Sequence, residues 1–129
     1  MKKKLRKIVV GGQEFLYATG DRYNVEDKTS TFIVKVFLSG QKHTPLFIEF
    51  HTIDDYYLGQ PLNSGVSLEN RNKQSAETVN LHKPRYIEQL ILLGLKHGWT
   101  GKNTIAMQNG LEYLEELGYN TDSLKPAQK

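Results

Sequence analysis

Apolar residues recur along this chain with two different periods. Over 84–99 (PRYIEQLILLGLKHGW) the period is helical. Ile87, Leu90, Ile91, Gly94 and Leu95 fall at i, i+3, i+4, i+7 and i+8 and share one face, which Tyr86, Leu93 and His97 widen. Pro84 has the fixed φ that suits a first helical position, where its missing N–H costs nothing. Gly98 stands where a left-handed residue ends a helix, and Trp99 follows as a large apolar anchor. The spacing predicts a helix over about 84–97. A face this apolar must be covered, and the first half of the chain supplies the cover.

There the period is two. Over 31–38, Phe32, Val34, Val36 and Leu38 alternate with Ile33, Lys35 and Phe37, and β-branched and aromatic residues dominate. Over 46–53, Leu46, Ile48 and Phe50 alternate with Phe47, Glu49 and His51. A short turn at 39–42 joins the two runs, which predicts antiparallel pairing. Upstream, 8–10 and 13–18 flank Gly11 and Gly12, whose tolerance of positive φ suits a tight hairpin turn. Residues 20–30 are polar and read as a loop. Residues 54–80 show no sustained period and read as a long loop, with room for a short strand or helical turn near 66–68 or 79–81. Further on, 104–108 reads as a short strand. Leu111, Leu114 and Leu117 then share the face of a second, shorter helix that Gly118 closes.

Strands first and helices afterwards imply an α+β fold of two layers. An antiparallel sheet of three to five strands is packed by one main helix (about 84–97) and a short C-terminal helix (about 110–117). The 129 residues suit one domain, over 8–119, with a basic N-terminal arm at 1–7 and a polar C-terminal tail at 120–129 that is expected to fray.

Charge changes this picture at one end only. Lys2, Lys3, Lys4, Arg6 and Lys7 are five of the seventeen basic residues; beyond them stand twelve Lys/Arg against fourteen Asp/Glu. The net charge of +3 therefore comes from the arm, and the body is mildly acidic. Such an arm can contact nucleic-acid phosphates, although a solvated, solubilising end is the plainer reading. The absence of cysteine excludes disulfides, Cys-based zinc sites and a thiol nucleophile, and it suits a cytoplasmic setting. No apolar run approaches the ~20 residues that cross a bilayer, so no membrane span is expected.

Four patterns carry candidate chemistry. His51 and Asp54–Asp55 close a predicted strand, where a histidine with carboxylates serves metal binding or acid–base work, as in a small ligand-binding or hydrolytic domain around His51 and Asp54. No third ligand is identifiable, so neither a metal nor a cofactor is expected. His82, Lys83 and Arg85 surround the helix start at Pro84, where cations and a helix N-terminus form a candidate anion site; no Gly-rich loop precedes them. Seven tyrosines occur, and the pair Tyr56–Tyr57 beside Asp54–Asp55 has the composition of an interface centre. Most of the others suit core edges with hydroxyls in water. Finally, Phe37 and Phe47 lie on the second face of the predicted sheet with Lys35 and Glu49, either lightly covered or exposed for a partner. The chain holds no nucleophile elbow, His-Glu-x-x-His, Walker loop or dinucleotide fingerprint.

Two segments together carry a resemblance: VNLHKP at 79–84 with LKHGW at 95–99, and Ile105 with the Asn109-Gly110-Leu111, Leu114 and Leu117-Gly118-Tyr119 positions. They resemble the helix-plus-Gly-Trp block and closing segment of small uncharacterised bacterial α+β proteins, over the last third of the chain. By analogy with immunity proteins and antitoxins, the resemblance implies a non-catalytic protein-binding module. Its binding surface is expected at Phe37, Phe47, His51, Asp54, Asp55, Tyr56 and Tyr57. The arm at Lys2, Lys3, Lys4, Arg6 and Lys7 supports the alternative of a nucleic-acid-associated protein.

Overall fold

The structure, a computed structural model, describes residues 5–53 and 60–125. Its first half is a meander of four strands, β1 (Arg6–Val10), β2 (Gln13–Asn24), β3 (Thr29–Leu38) and β4 (Gln41–Ile53), each antiparallel to the one before. A one-turn helix α1 (Pro61–Ser64) leads into a separate hairpin of β5 (Val66–Asn70) and β6 (Ser75–Val79). The main helix α2 (Pro84–Lys96), the two-residue strand β7 (Gln108–Asn109), the short helix α3 (Gly110–Glu116) and a 3₁₀ turn (Asp122–Leu124) complete the chain. The class is α+β. Strand order in the five-stranded sheet is β1-β2-β3-β4-β7, and β7 runs parallel to β4 rather than antiparallel.

The period-two pattern decides which face is covered. Pairing sets Tyr17 against Val36, Phe32 against Phe50, Val34 against Ile48 and Val36 against Leu46. All of these side chains are buried, and they form one core with Ile87, Leu90, Ile91 and Leu114 from the helices. Both longer helices reach this face through a glycine. A Cβ on Gly94 of α2 would sit 2.4 Å from Leu46 Cδ2, and one on Gly110 of α3 would sit 2.4 Å from the Phe50 ring. Close approach of helix to sheet therefore depends on these two missing side chains. Alanine normally favours a helix over glycine by about 0.5–1 kcal/mol. At Gly110 the clash with a fully buried ring wins, and Gly110→Ala is expected to lower stability by about 1–3 kcal/mol, read as a fall in the urea midpoint at unchanged slope.

Where α2 ends, Trp99 is seated under the sheet. The Trp99 and Gly98 N–H groups donate to Gly94 and Leu95 carbonyls, with Gly98 at φ +110°, closing the helix in the left-handed manner its sequence implied. Trp99 is buried, its ring 5.8 Å from that of Phe15, and its Nε1 donates to the Thr44 carbonyl at 3.0 Å.

Several further expectations need correction. Residues 20–30 are not a loop: β2 runs on to Asn24 and β3 resumes at Thr29, leaving a turn of four residues. Polar bonds replace apolar alternation there. Asn24 Nδ2 donates to the Thr29 and Thr31 hydroxyls at 3.0 and 3.2 Å, and Asp27 accepts from the Thr29 hydroxyl at 2.6 Å. Residues 60–80 are also structured, as α1 and the β5–β6 hairpin; residues 54–59 of that stretch lie outside the described residues. Nor does the described part of the expected tail, 120–125, fray; residues 126–129 lie outside the described residues. Main-chain bonds from Arg71 N to Gly118 O and from Asn120 N to Glu69 O lay residues 118–120 along β5, and Leu124 is buried. At the other end, Arg6 and Lys7 of the expected arm already belong to β1, while Lys2, Lys3 and Lys4 lie outside the described residues.

Candidate functional site

With α2 and α3 on one face of the sheet, the opposite face carries no helix among the described residues. Alternation along the strands puts Lys7 and Val9 of β1, Leu16 and Ala18 of β2, Ile33, Lys35 and Phe37 of β3, and Phe47, Glu49 and His51 of β4 on it. Its centre is apolar with a cation laid over it. Lys35 stands between Ala18 and Phe47 in the cross-strand register, and its Nζ lies 5.0 Å from the Phe37 ring centroid and 5.4 Å from that of Phe47. The ammonium rests on two π-faces, an arrangement worth ~0.5–1 kcal/mol per ring at a partly exposed site. Phe37 is only 8% exposed and forms the floor; Phe47 and Lys35 are half-buried and form the accessible surface.

His51 closes the row on β4, beyond Phe47 and Glu49 on the same face. It is exposed, opposite Thr31, with its Nδ1 3.4 Å from the Thr31 hydroxyl oxygen. Two grooves meet at His51 and Glu49. One of about 510 Å³ extends to Arg22, Asn24 and Asp27 at the β2–β3 turn; the other, of about 620 Å³, extends to Met107, Glu112 and Lys125. The hydroxyl of Thr29 holds the Asp27 carboxyl below its ordinary value. Among the described residues no group of three His, Asp or Glu side chains is placed to hold a metal ion. Asp54, Asp55, Tyr56 and Tyr57, expected beside His51, lie outside the described residues.

The expected anion site at the start of α2 already has an anion, supplied by the chain itself. Arg85 Nη2 lies 3.2 Å from Glu77 Oε2 and 2.7 Å from the Tyr86 hydroxyl oxygen. His82 contacts Asn63 Oδ1 through Nε2 and stands edge-on to Phe32, while Lys83 is exposed as the N-cap without a side-chain cap bond. Asn80 supplies a cap-like bond from upstream, its Oδ1 accepting from His82 N at 2.9 Å.

Glu77 is the charged group that sequence reasoning passed over. Tyr86 and Tyr119 hydroxyls donate to its Oε2 at 2.5 and 2.6 Å, and Lys73 Nζ donates to Oε1 at 3.0 Å. Burial alone would raise its pKa; bonds from Tyr119, Tyr86 and Lys73, with the charge of Lys73, more than reverse this and take it down to about 2. Burial and the same carboxylate push both tyrosines upward. The cluster ties β6 to α2 and to the C-terminal segment. Tyr113 is likewise bonded within the chain, its hydroxyl donating to Gln108 Oε1 at 2.9 Å, so these three tyrosines do not leave their hydroxyls to water alone. A signal for Glu77 existed only in its i, i+4 spacing from Lys73. Val9, 62% exposed, and Met107, 52% exposed, also belong to the exposed surface around the sheet and were not singled out by the sequence pattern.

Among the described residues no helix is long and apolar enough to cross a membrane. No protein-family model matches the chain, and neither a curated protein nor a solved structure matches it.

Proposed function

We propose that the chain is a small, non-catalytic protein-binding module that docks a partner protein through the helix-free face of its sheet. The observation that carries this reading is the centre of that face. Leu16, Ile33 and Phe47 surround a lysine held over aromatic rings, and no described element covers them. An aromatic centre of Phe37 and Phe47, bordered by Glu49 and His51, matches the aromatic core and polar rim of an interface. Binding would bury Phe47 and Lys35 and exclude water from around them, which strengthens the pairing of Lys35 with a partner carboxylate. In the immunity-like or antitoxin-like form of this reading the protein is bacterial and cytoplasmic, and it works by occluding the surface it covers.

The test is co-expression with the product of the adjacent gene, followed by size-exclusion chromatography. A stable complex with the native chain is expected. Phe47→Asp, which sets a carboxylate on the apolar centre, should abolish co-elution while the far-UV circular dichroism of the free protein is kept. Lys35→Glu should weaken the complex without touching the core. A complex that both variants form as readily as the native chain would sink the reading.

A further inference from the structure

Among the described residues the first strand of the sheet has one side unpaired: β1 stands at the end of the strand order and pairs only with β2. Which of its main-chain groups point outward follows from the turn. Gly11 and Gly12, at φ +59° and +81°, form a two-residue loop of the primed type. The residues flanking such a loop, Val10 and Gln13, form a pair that exchanges main-chain bonds. Alternation along an antiparallel ladder then makes Ile8–Phe15 and Arg6–Tyr17 bonded pairs as well. Lys7 and Val9 are the non-bonded positions, so their N–H and C=O groups point away from the sheet. Among the described residues neither group has a main-chain partner elsewhere.

The side chains beside these free groups select what can pair there. Lys7 and Val9 are exposed on the helix-free face, and Leu5, one position before the strand, is 40% exposed. Five of the chain's seventeen Lys/Arg lie in its first seven residues. A second copy pairing through β1 would set the exposed Arg6 and Lys7 of one strand beside those of another, and edge-strand lysines act against self-pairing in just this way. The same charges favour an acidic strand.

We infer that β1 is a docking edge for an extended acidic segment of a partner protein, which adds as a sixth strand beside it. Main-chain bonds to Lys7 and Val9 supply the ladder, and alternate side chains of the incoming strand lie opposite Leu5, Lys7 and Val9. The complementary pattern is apolar-x-acidic-x-apolar, which reads the same in either strand direction. This rests on the protein-binding reading only in that the partner is a protein; it uses the main chain of β1 and not Phe47, which lies three strands away.

The experiment is an amide-resolved NMR titration of the full chain with the capped peptide DVTETVD. Shifts should concentrate on residues 5–10, with slowed amide exchange at Lys7 and Val9. Exchanging the central glutamate for lysine turns a cross-strand attraction into a repulsion and should weaken binding about tenfold. Methylating the peptide nitrogens that face β1 should weaken it by a similar factor, about tenfold. Val9→Pro removes an outward N–H that β2 does not use and should abolish binding; if that variant does not fold, the methylated peptide makes the same test. Absence of shifts on β1 at millimolar peptide overturns the inference, as does equal binding of the lysine or methylated peptide, or a β1-paired dimer of the free chain. Peptide binding should survive Phe47→Asp. If the peptide fails but Phe47→Asp still breaks the partner complex, the edge inference falls alone. If the peptide binds and Phe47 is silent, the reading of the sheet face falls instead.

Discussion

Trp99→Ala is expected to cost about 3–5 kcal/mol of folding stability, the range for deleting a fully buried large aromatic side chain. Three interactions are lost at once. The indole is 1% exposed, its ring meets Phe15 at 5.8 Å, and its Nε1 is the donor that reaches the Thr44 carbonyl. Trp99 also joins what the chain order separates: it follows α2 directly, yet its neighbours are on β2 and β4. The cavity would open between the end of α2 and the sheet, a place where neither backbone can collapse without breaking the turn at Gly98. Trp99→Phe keeps most of the apolar volume but leaves the Thr44 carbonyl without that donor, and should cost about 1–3 kcal/mol. Urea unfolding of the two variants checks both values. A loss below ~1 kcal/mol for the alanine variant would mean that α2 is not anchored through this residue.

The second large effect belongs to Glu77. Its carboxylate accepts from two tyrosine hydroxyls and is paired with Lys73 and Arg85, so removing it takes the carboxylate acceptor from the buried Tyr119 hydroxyl, leaves Tyr86 only the Thr78 carbonyl, and unpairs two half-exposed cations. Glu77→Ala should therefore cost about 1–3 kcal/mol and loosen the β5–β6 hairpin first. The pH dependence has a definite sign. The pKa falls on folding from 4.5 to about 2. The stabilising contribution is therefore complete above about pH 4.5 and is lost as pH falls toward 2. With the carboxylate 15% exposed, one pKa unit per 1.36 kcal/mol sets an upper bound of about 3 kcal/mol on it. Glu77→Gln keeps the shape and an acceptor but does not titrate. Its stability should be lower than that of the native chain at pH 6 and should approach it as both are taken to pH 2. Parallel curves for the two proteins over that interval would contradict the assignment.

How far the fold could be read from the sequence depended on whether burial was one-sided. α2 shows its full stripe because every buried position is apolar, and the expected helix ends within a residue of the observed one. The alternation of β3 and β4 is visible for the same reason. The outer half of β2 is not, since Asp21, Arg22 and Tyr23 are solvent-exposed and the hairpin end is held by Asn24, Asp27 and Thr29 instead. Of the β5–β6 hairpin only room for a short strand near 66–68 or 79–81 was legible, because its apolar signal is only Val66, Leu68, Ala76 and Val79. The contacts that secure it come from Tyr86 and Tyr119, 9 and 42 residues beyond Glu77. No local pattern encodes a carboxylate whose partners are that distant.

The candidate surface was legible to a similar degree. Phe37, Phe47 and His51 were identified by alternation alone, because residues two apart on a strand must share a face. Alternation does not say how deep each one lies. Phe37 proved to be floor, and Lys35 proved to be placed over it. Arg85 was read as a free cation because the glutamate that neutralises it sits on a different element, strand β6, eight residues upstream.

The most direct test of the proposed docking face compares two variants on opposite sides of the protein. Leu92 is 49% exposed on the solvent side of α2, whereas Phe47 belongs to the helix-free sheet face. Affinity for the partner should be measured by calorimetry for Phe47→Asp and Leu92→Asp beside the native chain. Loss of a hot-spot side chain of ~2 kcal/mol or more predicts at least about a 30-fold fall for Phe47→Asp. Leu92→Asp should stay within about twofold, as a surface change away from the contact does. The reverse order, or equal losses for both, would place the contact elsewhere and contradict the proposal.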